Sequence, residues 1–260
     1  MRDWRKRCLL GLLAVVAVAP GCGLGVYEER MKQTQERLAR LDEEDALLGE
    51  PFAWPASVTL TVFLRPPRSV ASPPIPVLGS DWLLRCPWAE GGLPVSPWEM
   101  FVGVYAFSGD VDQLETVIQN ELLGGNVKGQ RIQEPISLRE VTFIRTAARP
   151  DDQVPVTYRR LVLLSEEESH PRKTWLPLAC WFRWEVYVHS HEDQHVLICF
   201  KVLDREATER AWAENGAPAS ELRRLPVVDR KLFARQRDAC LATLRVGEAA
   251  RRSWQDWNPR

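Results

Sequence analysis

The sequence predicts an α+β fold in which packed helices cover a mainly antiparallel sheet, preceded by an N-terminal helical rod. Three observations support this prediction. Strand-like runs follow one another along the chain, and the clear helical patterns stand apart from these runs. That order is typical of α+β domains and not of βαβ winding, in which strands and helices alternate. A charged segment with a heptad pattern near the N-terminus predicts the rod.

The rod is predicted over residues 26–48, where dense mixed charge surrounds an apolar heptad seam. The seam contains Tyr27, Met31, Leu38, Leu41 and Leu48, and it is interrupted by Thr34 and Asp45. Gly49 and Pro51 end the helical pattern. We interpret residues 22–50 as a stalk that self-associates through residues 26–48. A helix that packs back on its own domain and a frayed linker are the alternatives.

The remaining elements belong to a globular domain predicted over residues 51–247. Strands are expected at Val58–Leu64, Phe101–Phe107, Ser137–Arg145 and Val154–Leu164, with a long hairpin over 180–203. Helices are expected from Asp110 to the glycine pair Gly124-Gly125, over Glu206–Glu214 and over Asp229–Val246. Residues 78–98 are predicted to form an irregular loop, and residues 248–260 a flexible basic tail.

This order of elements resembles the PsbP- and DcrB-like α-β-α sandwich proteins. The matching stretches are the capped helix at Ser108–Leu123, the strands at Glu140–Glu166, the hairpin at Trp181–Asp204 and the closing helix at Lys231–Val246. Members of that family bind diverse partners and mostly lack enzymatic activity. The resemblance implies a fold and carries over no functional residue, since fold alone does not fix function.

The N-terminus has the layout of an export signal. Residues 1–7 carry four basic groups, an apolar run extends from Leu9 to Ala19, and small residues precede Cys22. The run is too short to cross a bilayer as a helix, which takes about 20 residues. The end of the segment, Ala19-Pro20-Gly21-Cys22, resembles the bacterial lipobox, although that motif usually has leucine at the position of Ala19 and rarely has proline next.

The lipobox resemblance implies a signal peptide over residues 1–21 and a lipidated Cys22 that anchors the protein to a membrane. By the same resemblance, Gly23 favours the outer membrane and a domain that faces the periplasm. An ordinary signal peptide cut after Ala19 or Gly21 is the first alternative. A short amphipathic start of a cytosolic protein is the second.

Composition and motifs exclude several functional classes. A net charge of −1 argues against general nucleic-acid binding, which requires a strong basic excess. The chain contains no GxSxG, P-loop, Rossmann or HExxH motif. The sequence therefore predicts a non-enzymatic envelope protein with no cofactor, which binds an envelope protein of unknown identity or assembles with itself. An envelope hydrolase with scattered active-site residues remains as an alternative.

A second alternative is a module that binds a transition metal or a sugar. Pairing Val188 with Ile198 in the hairpin would leave a three-residue turn at 192–194 and place His191 opposite His195, with His189 two residues along. Residues directly opposite each other on paired strands are close enough for their imidazole rings to bind the same metal ion. The same residues also fit an incidental polar hairpin tip.

The tryptophans of residues 78–98 and the cysteines of the globular domain allow two further interpretations. Trp82, Trp88 and Trp98 could stack on a sugar, or could fill a contact between loop and sheet. The hairpin register places Cys180 on the core face and Cys199 on the outer face, so a bridge between them is not expected. Cys240 could reach Cys180. The disulfide pattern of these three cysteines and Cys86 stays open, as does the oligomeric state.

Overall fold

The computed structural model describes residues 21–54, 58–70, 74–76, 83–87, 95–106, 131–143, 156–169 and 178–257. The chain divides into two units, Met1–Ala46 and Leu47–Arg260. Helix α1 (Gly21–Leu47) belongs to the first unit except for its last residue, and it confirms the predicted N-terminal helix. None of the helices in the described part of the chain is long and apolar enough to span a membrane.

The second unit is built on an antiparallel sheet, which confirms the predicted α+β class. Its strands are β2 (Ile75–Pro76), β3 (Leu83–Cys86), β4 (Trp98–Ala106), β5 (Arg131–Phe143), β6 (Val156–Ser169), β7 (Leu178–His191) and β8 (Gln194–Leu203). These seven strands lie in the order β2-β3-β4-β8-β7-β6-β5. A separate two-stranded sheet pairs β1 (Val62–Phe63) with β9 (Arg245–Val246).

Four helices follow the sheet in sequence: α2 (Arg205–Glu214), α3 (Ala219–Leu222), α4 (Arg230–Thr243) and α5 (Gly247–Trp257). Two aspartates fix where the longer helices begin, because a side-chain oxygen can accept from the unpaired N–H groups of a first turn. Asp204 accepts from the Ala207 N–H, and Asp229 accepts from the N–H groups of Lys231 and Leu232. The helices predicted at 206–214 and 229–246 are thus present, although α4 ends at Thr243.

Both faces of the sheet are buried. We call one the α4 face, because Phe233, Cys240 and Leu241 of α4 pack there against alternating residues of the strands. We call the other the α2 face, because Trp212 of α2 packs there, together with Leu225. Buried residues therefore follow one another without interruption over Trp184–Val188 of β7 and over His195–Phe200 of β8.

Three predicted boundaries are wrong. The stretch predicted as an irregular loop, 78–98, contains β3 and the first residue of β4. The strand predicted over 58–64 is reduced to β1, because only Val62 and Phe63 have pairing partners, on β9. Strand β6 continues past its predicted end at Leu164 to Ser169, since β7 pairs with it from Arg159 to Ser169. The helix predicted from Asp110 lies outside the described residues.

Residues 248–257 of the tail that was predicted to be flexible belong to helix α5. Its Trp254 indole donates to the Val62 carbonyl at 3.0 Å, and its ring packs edge-on against Phe63 at 5.2 Å. Trp257, one turn later, also packs against Phe63, at 6.3 Å. These tertiary contacts stabilise a helix that is too short to be stable in isolation. Likewise, Leu48 was assigned to the stalk but lies in the core of the second unit.

Candidate functional site

The hairpin register differs by one residue from the prediction. Val188 pairs with Leu197 and not with Ile198, and the turn has two residues, Glu192 and Asp193. Glu192 takes a positive φ of 53°, which a tight two-residue turn requires. The prediction assumed that one face of the hairpin was solvated. Because both faces are buried, the apolar alternation of either strand satisfies either register.

This register separates the three histidines that were proposed as metal ligands. His191 lies opposite Gln194, and His195 lies opposite Ser190. Since side chains alternate between faces along a strand, His189 and His191 lie on the α4 face and His195 on the α2 face. Among the described residues, no group of three His, Cys, Asp or Glu side chains is placed to hold a metal ion. The predicted arrangement of His189, His191 and His195 is therefore wrong.

Each histidine has its own structural contact. His189 Nδ1 donates to the Thr157 carbonyl at 3.0 Å, and the His195 ring shares a hydrogen bond of 2.9 Å with the Ser190 hydroxyl. His191 lies over Gly247, where a Cβ would come within 3.1 Å of the ring Nε2. Gly247 has a φ of +59°, which favours glycine there, and a Cβ would also require the His191 ring to shift slightly.

The tryptophan platform is also contradicted where the structure describes it. Trp98 is only 3% exposed, and its ring packs at 5.3 Å from Phe233 and 6.3 Å from Phe200 on the α4 face. A ring enclosed in this way cannot stack on a sugar. Trp82 and Trp88 lie outside the described residues.

The cysteines fall on opposite faces of the sheet, two by two. Cys86 and Cys240 lie in the α4-face core, whereas Cys180 and Cys199 lie in the α2-face core. The prediction that Cys180 and Cys199 point to different faces is wrong because of the register difference, and Cys240 is on the wrong side of the sheet to reach Cys180. All four are buried thiols. Burial raises the pKa of Cys86 to about 12.

Cys22, the predicted lipidation site, is the second residue of α1. Its side chain lies outside those the structure describes. The assignment of lipidation to Cys22 stays a prediction.

A charged cluster that the sequence reasoning missed lies on the α4 face around Glu185. Arg237 of α4 donates to its carboxylate at 2.7 Å, and the Tyr187 hydroxyl donates at 3.0 Å. Arg160 and Arg183 each place a guanidinium nitrogen 3.3 Å from the same carboxylate. The Glu185 side chain is only 6% exposed. The sequence signal for this cluster was the pair of charged residues, Arg183 and Glu185, within a strand whose other residues are apolar or aromatic over Phe182–Val188.

The electrostatics of the cluster favour the ionised glutamate. Burial alone would raise the pKa of Glu185, but the charges of Arg237, Arg160 and Arg183 outweigh burial and lower it. Burial, followed by the adjacent Glu185 charge, raises the pKa of Tyr187. The tyrosine thus stays a neutral donor. Because Arg237 belongs to α4 and Glu185 to β7, the cluster joins this helix to the sheet.

The described residues include an exposed apolar seam on α1. Tyr27 is 61% exposed, Met31 43% and Leu38 55%. With Val26, these residues make up four of the eight large hydrophobic side chains that are exposed in the described part of the chain. The helix is continuous through them, which excludes the frayed-linker alternative. We take this α1 seam, defined as Tyr27, Met31, Thr34, Leu38 and Leu41, as the candidate interaction site.

Local hydrogen bonds support α1 between the seam residues. Gln33 Nε2 donates to Glu29 at 3.1 Å, one helical turn earlier. The Thr34 hydroxyl donates to the Arg30 carbonyl at 2.8 Å, so the polar residue of the seam is satisfied within its own helix. The seam can therefore be covered by an apolar partner without leaving this hydroxyl unpaired.

The described elements define the class of this chain as an α+β protein with an N-terminal helix. No family model matches the chain. No curated protein matches it either. Among solved structures, it is similar to the Ran-binding protein Mog1p of Saccharomyces cerevisiae, with a TM-score of 0.34 and 10% identity over 71% of this chain and 89% of that chain. Human STARD10 gives a TM-score of 0.24 and 11% identity over 69% and 74%. The resemblance to PsbP- and DcrB-like proteins stays a prediction.

Proposed function

We propose that this protein is a non-enzymatic, lipid-anchored component of the bacterial cell envelope that binds a protein partner through α1. The observation that carries the proposal is the exposed α1 seam, whose first residue, Tyr27, follows the lipobox Cys22 by five positions. Contiguous exposed apolar side chains mark interaction surfaces, since water contact with them is unfavourable.

The length of α1 suits this role. At 1.5 Å per residue, its 27 residues correspond to about 40 Å of helix. Leu38 would lie about 24 Å along the helix from Cys22 by the same rise. The seam would thus begin beside the headgroups and continue beyond them, where another protein can reach it.

The second unit supports a binding role more than a catalytic one. Three of its buried polar groups have structural partners: Glu185 is held by arginines, His195 by Ser190, and the Trp184 indole donates to Ser165 at 2.8 Å. Catalytic acids and nucleophiles, in contrast, need access to a substrate. The domain would then be a rigid body carried by the anchored helix.

Metabolic labelling with a clickable palmitate analogue tests the anchor. Wild type and Cys8→Ala should incorporate the label and sediment with membranes, because Cys8 lies in the predicted signal peptide. Cys22→Ala should lose the label and its membrane attachment, since several acyl chains are needed for stable anchoring. Unchanged label on Cys22→Ala would refute the anchor.

Cross-linking in intact cells tests the role of α1. Leu38→Asp places a charge in the seam, whereas Ala39→Asp places the same charge one position away on the outer side of the helix. Cross-linked products should be lost with the first substitution and retained with the second. Equal loss in both variants, or no change in either, would show that the seam is not the binding surface.

A further inference from the structure

We infer that the partner of the α1 seam is the α1 seam of a second copy of this chain, with the two helices parallel and in register. This inference rests on the proposed binding role of α1 and names its partner. The expected product is a short two-stranded coiled coil close to the membrane. This pairing is supported by the heptad positions of α1, by the charges that flank the seam and by the point where the seam ends.

The seam fits a heptad pattern throughout. Tyr27, Thr34 and Leu41 occupy d positions, and Met31 and Leu38 occupy a positions. In a parallel pair, each of these residues faces its own equivalent. The exposed Tyr27, Met31 and Leu38 would then be covered together, and Thr34 would enter the interface with its hydroxyl already bonded to Arg30.

The charges that flank the seam favour the parallel register. In parallel coiled coils a g residue faces the e residue five positions later on the other helix. Arg37 at g would therefore face Asp42 of the second copy, and the symmetric pair would form as well. Arg30 at g would face the neutral Gln35. No like charges meet at these flanking positions.

An antiparallel pair that overlaps the same seam is disfavoured. There, e faces e and g faces g, which brings Glu28 against Asp42 and Arg37 against Arg37 of the second copy. In the same antiparallel pair, Arg30 of one copy would attract Glu44 of the other, which compensates for part of this repulsion. Like charges at facing positions destabilise pairing and set the orientation of helices. Two helices that leave the same membrane at Cys22 would also start side by side.

The seam ends where the second unit begins. Asp45 occupies the next a position, where two copies in parallel would bring like charges together. Leu48, at the next d position, is buried in the core of the second unit and so is not available to a partner. The paired region therefore covers about two heptads, which is marginal for chains in dilute solution. Anchoring both copies to one membrane raises their effective concentration and would favour pairing there.

Cysteine cross-linking of the full-length protein in membranes tests this pairing. Thr34→Cys places a thiol at a central d position, and Glu36→Cys places one at the outward f position of the same turn. Under a mild copper-phenanthroline oxidant, two facing thiols lose their protons and two electrons to the oxidant and form one disulfide. Thr34→Cys should give several-fold more covalent dimer than Glu36→Cys or wild type. Wild type measures the background from the buried cysteines and from any Cys22 that has not been lipidated.

Two further variants keep the result interpretable. Adding Leu38→Asp to Thr34→Cys should reduce the dimer to background, whereas adding Ala39→Asp should leave it unchanged. Equal cross-linking of Thr34→Cys and Glu36→Cys, or none in either, would overturn the parallel pairing. Palmitate label is scored in the same samples. Labelled protein without the Thr34→Cys dimer rejects the pairing alone, whereas absence of label rejects the anchor.

Discussion

Helix α1 and the sheet unit place their apolar side chains in opposite environments. Tyr27 and Leu38 of α1 are more than half exposed, while Tyr158 and Leu241 of the sheet unit are fully buried. A buried core offsets the entropy lost on folding, whereas an isolated helix relies on weak local interactions. The comparison indicates that the sheet unit has a buried core of its own, whereas Tyr27 and Leu38 of α1 leave most of their side chains exposed.

The largest expected effect comes from Leu241→Ala in α4. Leu241 is 0% exposed and packs in the α4-face core, so its truncation removes buried methyl groups and leaves a cavity. The free energy of unfolding should fall by about 2–5 kcal/mol. Urea denaturation followed by tryptophan fluorescence measures it. Leu241→Met keeps the volume and should cost less than about 1.5 kcal/mol; equal losses would show that volume is not the cause.

A smaller effect is expected from Glu185→Gln. The substitution preserves the shape of the side chain but leaves Arg237, Arg160 and Arg183 without their shared carboxylate. Breaking a fully buried ion pair costs about 3–5 kcal/mol. Because Arg183 is half exposed, solvent screening reduces the expected loss here to about 2–3 kcal/mol. Denaturant titration at neutral pH provides the measurement.

The exposed pair of Glu248 and Arg251 supplies the control. Both side chains are about two-thirds exposed, so Glu248→Gln should change stability by less than about 0.5 kcal/mol.

The pH dependence of stability gives a second check on the Glu185 cluster. The pKa of Glu185 is lower in the folded protein than in the unfolded chain. Its contribution to the free energy of unfolding is therefore present above the unfolded pKa of about 4.3, and it is lost as the pH falls through the folded pKa. Glu185→Gln should lack this part of the acid sensitivity.

At alkaline pH the buried thiols should destabilise the sheet unit, and the loss per thiol should be smaller than that caused by Glu185→Gln. Burial raises the pKa of Cys86 to about 12, and burial together with the nearby Cys86 raises that of Cys240. The unfolded chain ionises near 8.5, so its thiols release protons before the folded ones do. Stability is therefore full below that pH and falls by up to about 1.4 kcal/mol per pH unit per thiol above it. Denaturation curves at pH 7, 9 and 10 test this, and a flat profile would contradict it.

The sequence was sufficient to predict those elements whose structure is determined by a local pattern of residues. The helix of α1, the two aspartate-capped helices α2 and α4, and the existence of the β7–β8 hairpin all follow from spacing and capping signals. The hairpin register was not predictable in this way. Apolar residues on both faces of the strands make two registers equally consistent with the pattern, and the wrong one brought three histidines together.

The features that the sequence did not predict depend on contacts between distant residues. The Glu185 cluster joins Arg160 of β6 to Arg237 of α4, and no motif marks such a pairing. Helix α5 forms because Trp254 contacts β1, which lies 192 residues away in sequence. The burial of Trp98 likewise depends on Phe233. Tertiary context decided each of these cases.

The smallest effect on unfolding is expected from Leu38→Ala in α1, which is the same change as Leu241→Ala made on an exposed side chain. Leu38 is 55% exposed, and alanine is at least as good a helix former, so the unfolding free energy of the sheet unit should change by less than about 0.5 kcal/mol. The Thr34→Cys cross-link in membranes should nevertheless decrease, because the apolar contact at the a position is lost. A loss of unfolding free energy as large as that of Leu241→Ala would mean that Leu38 belongs to the folded core. An unchanged cross-link would mean that the seam contributes no binding.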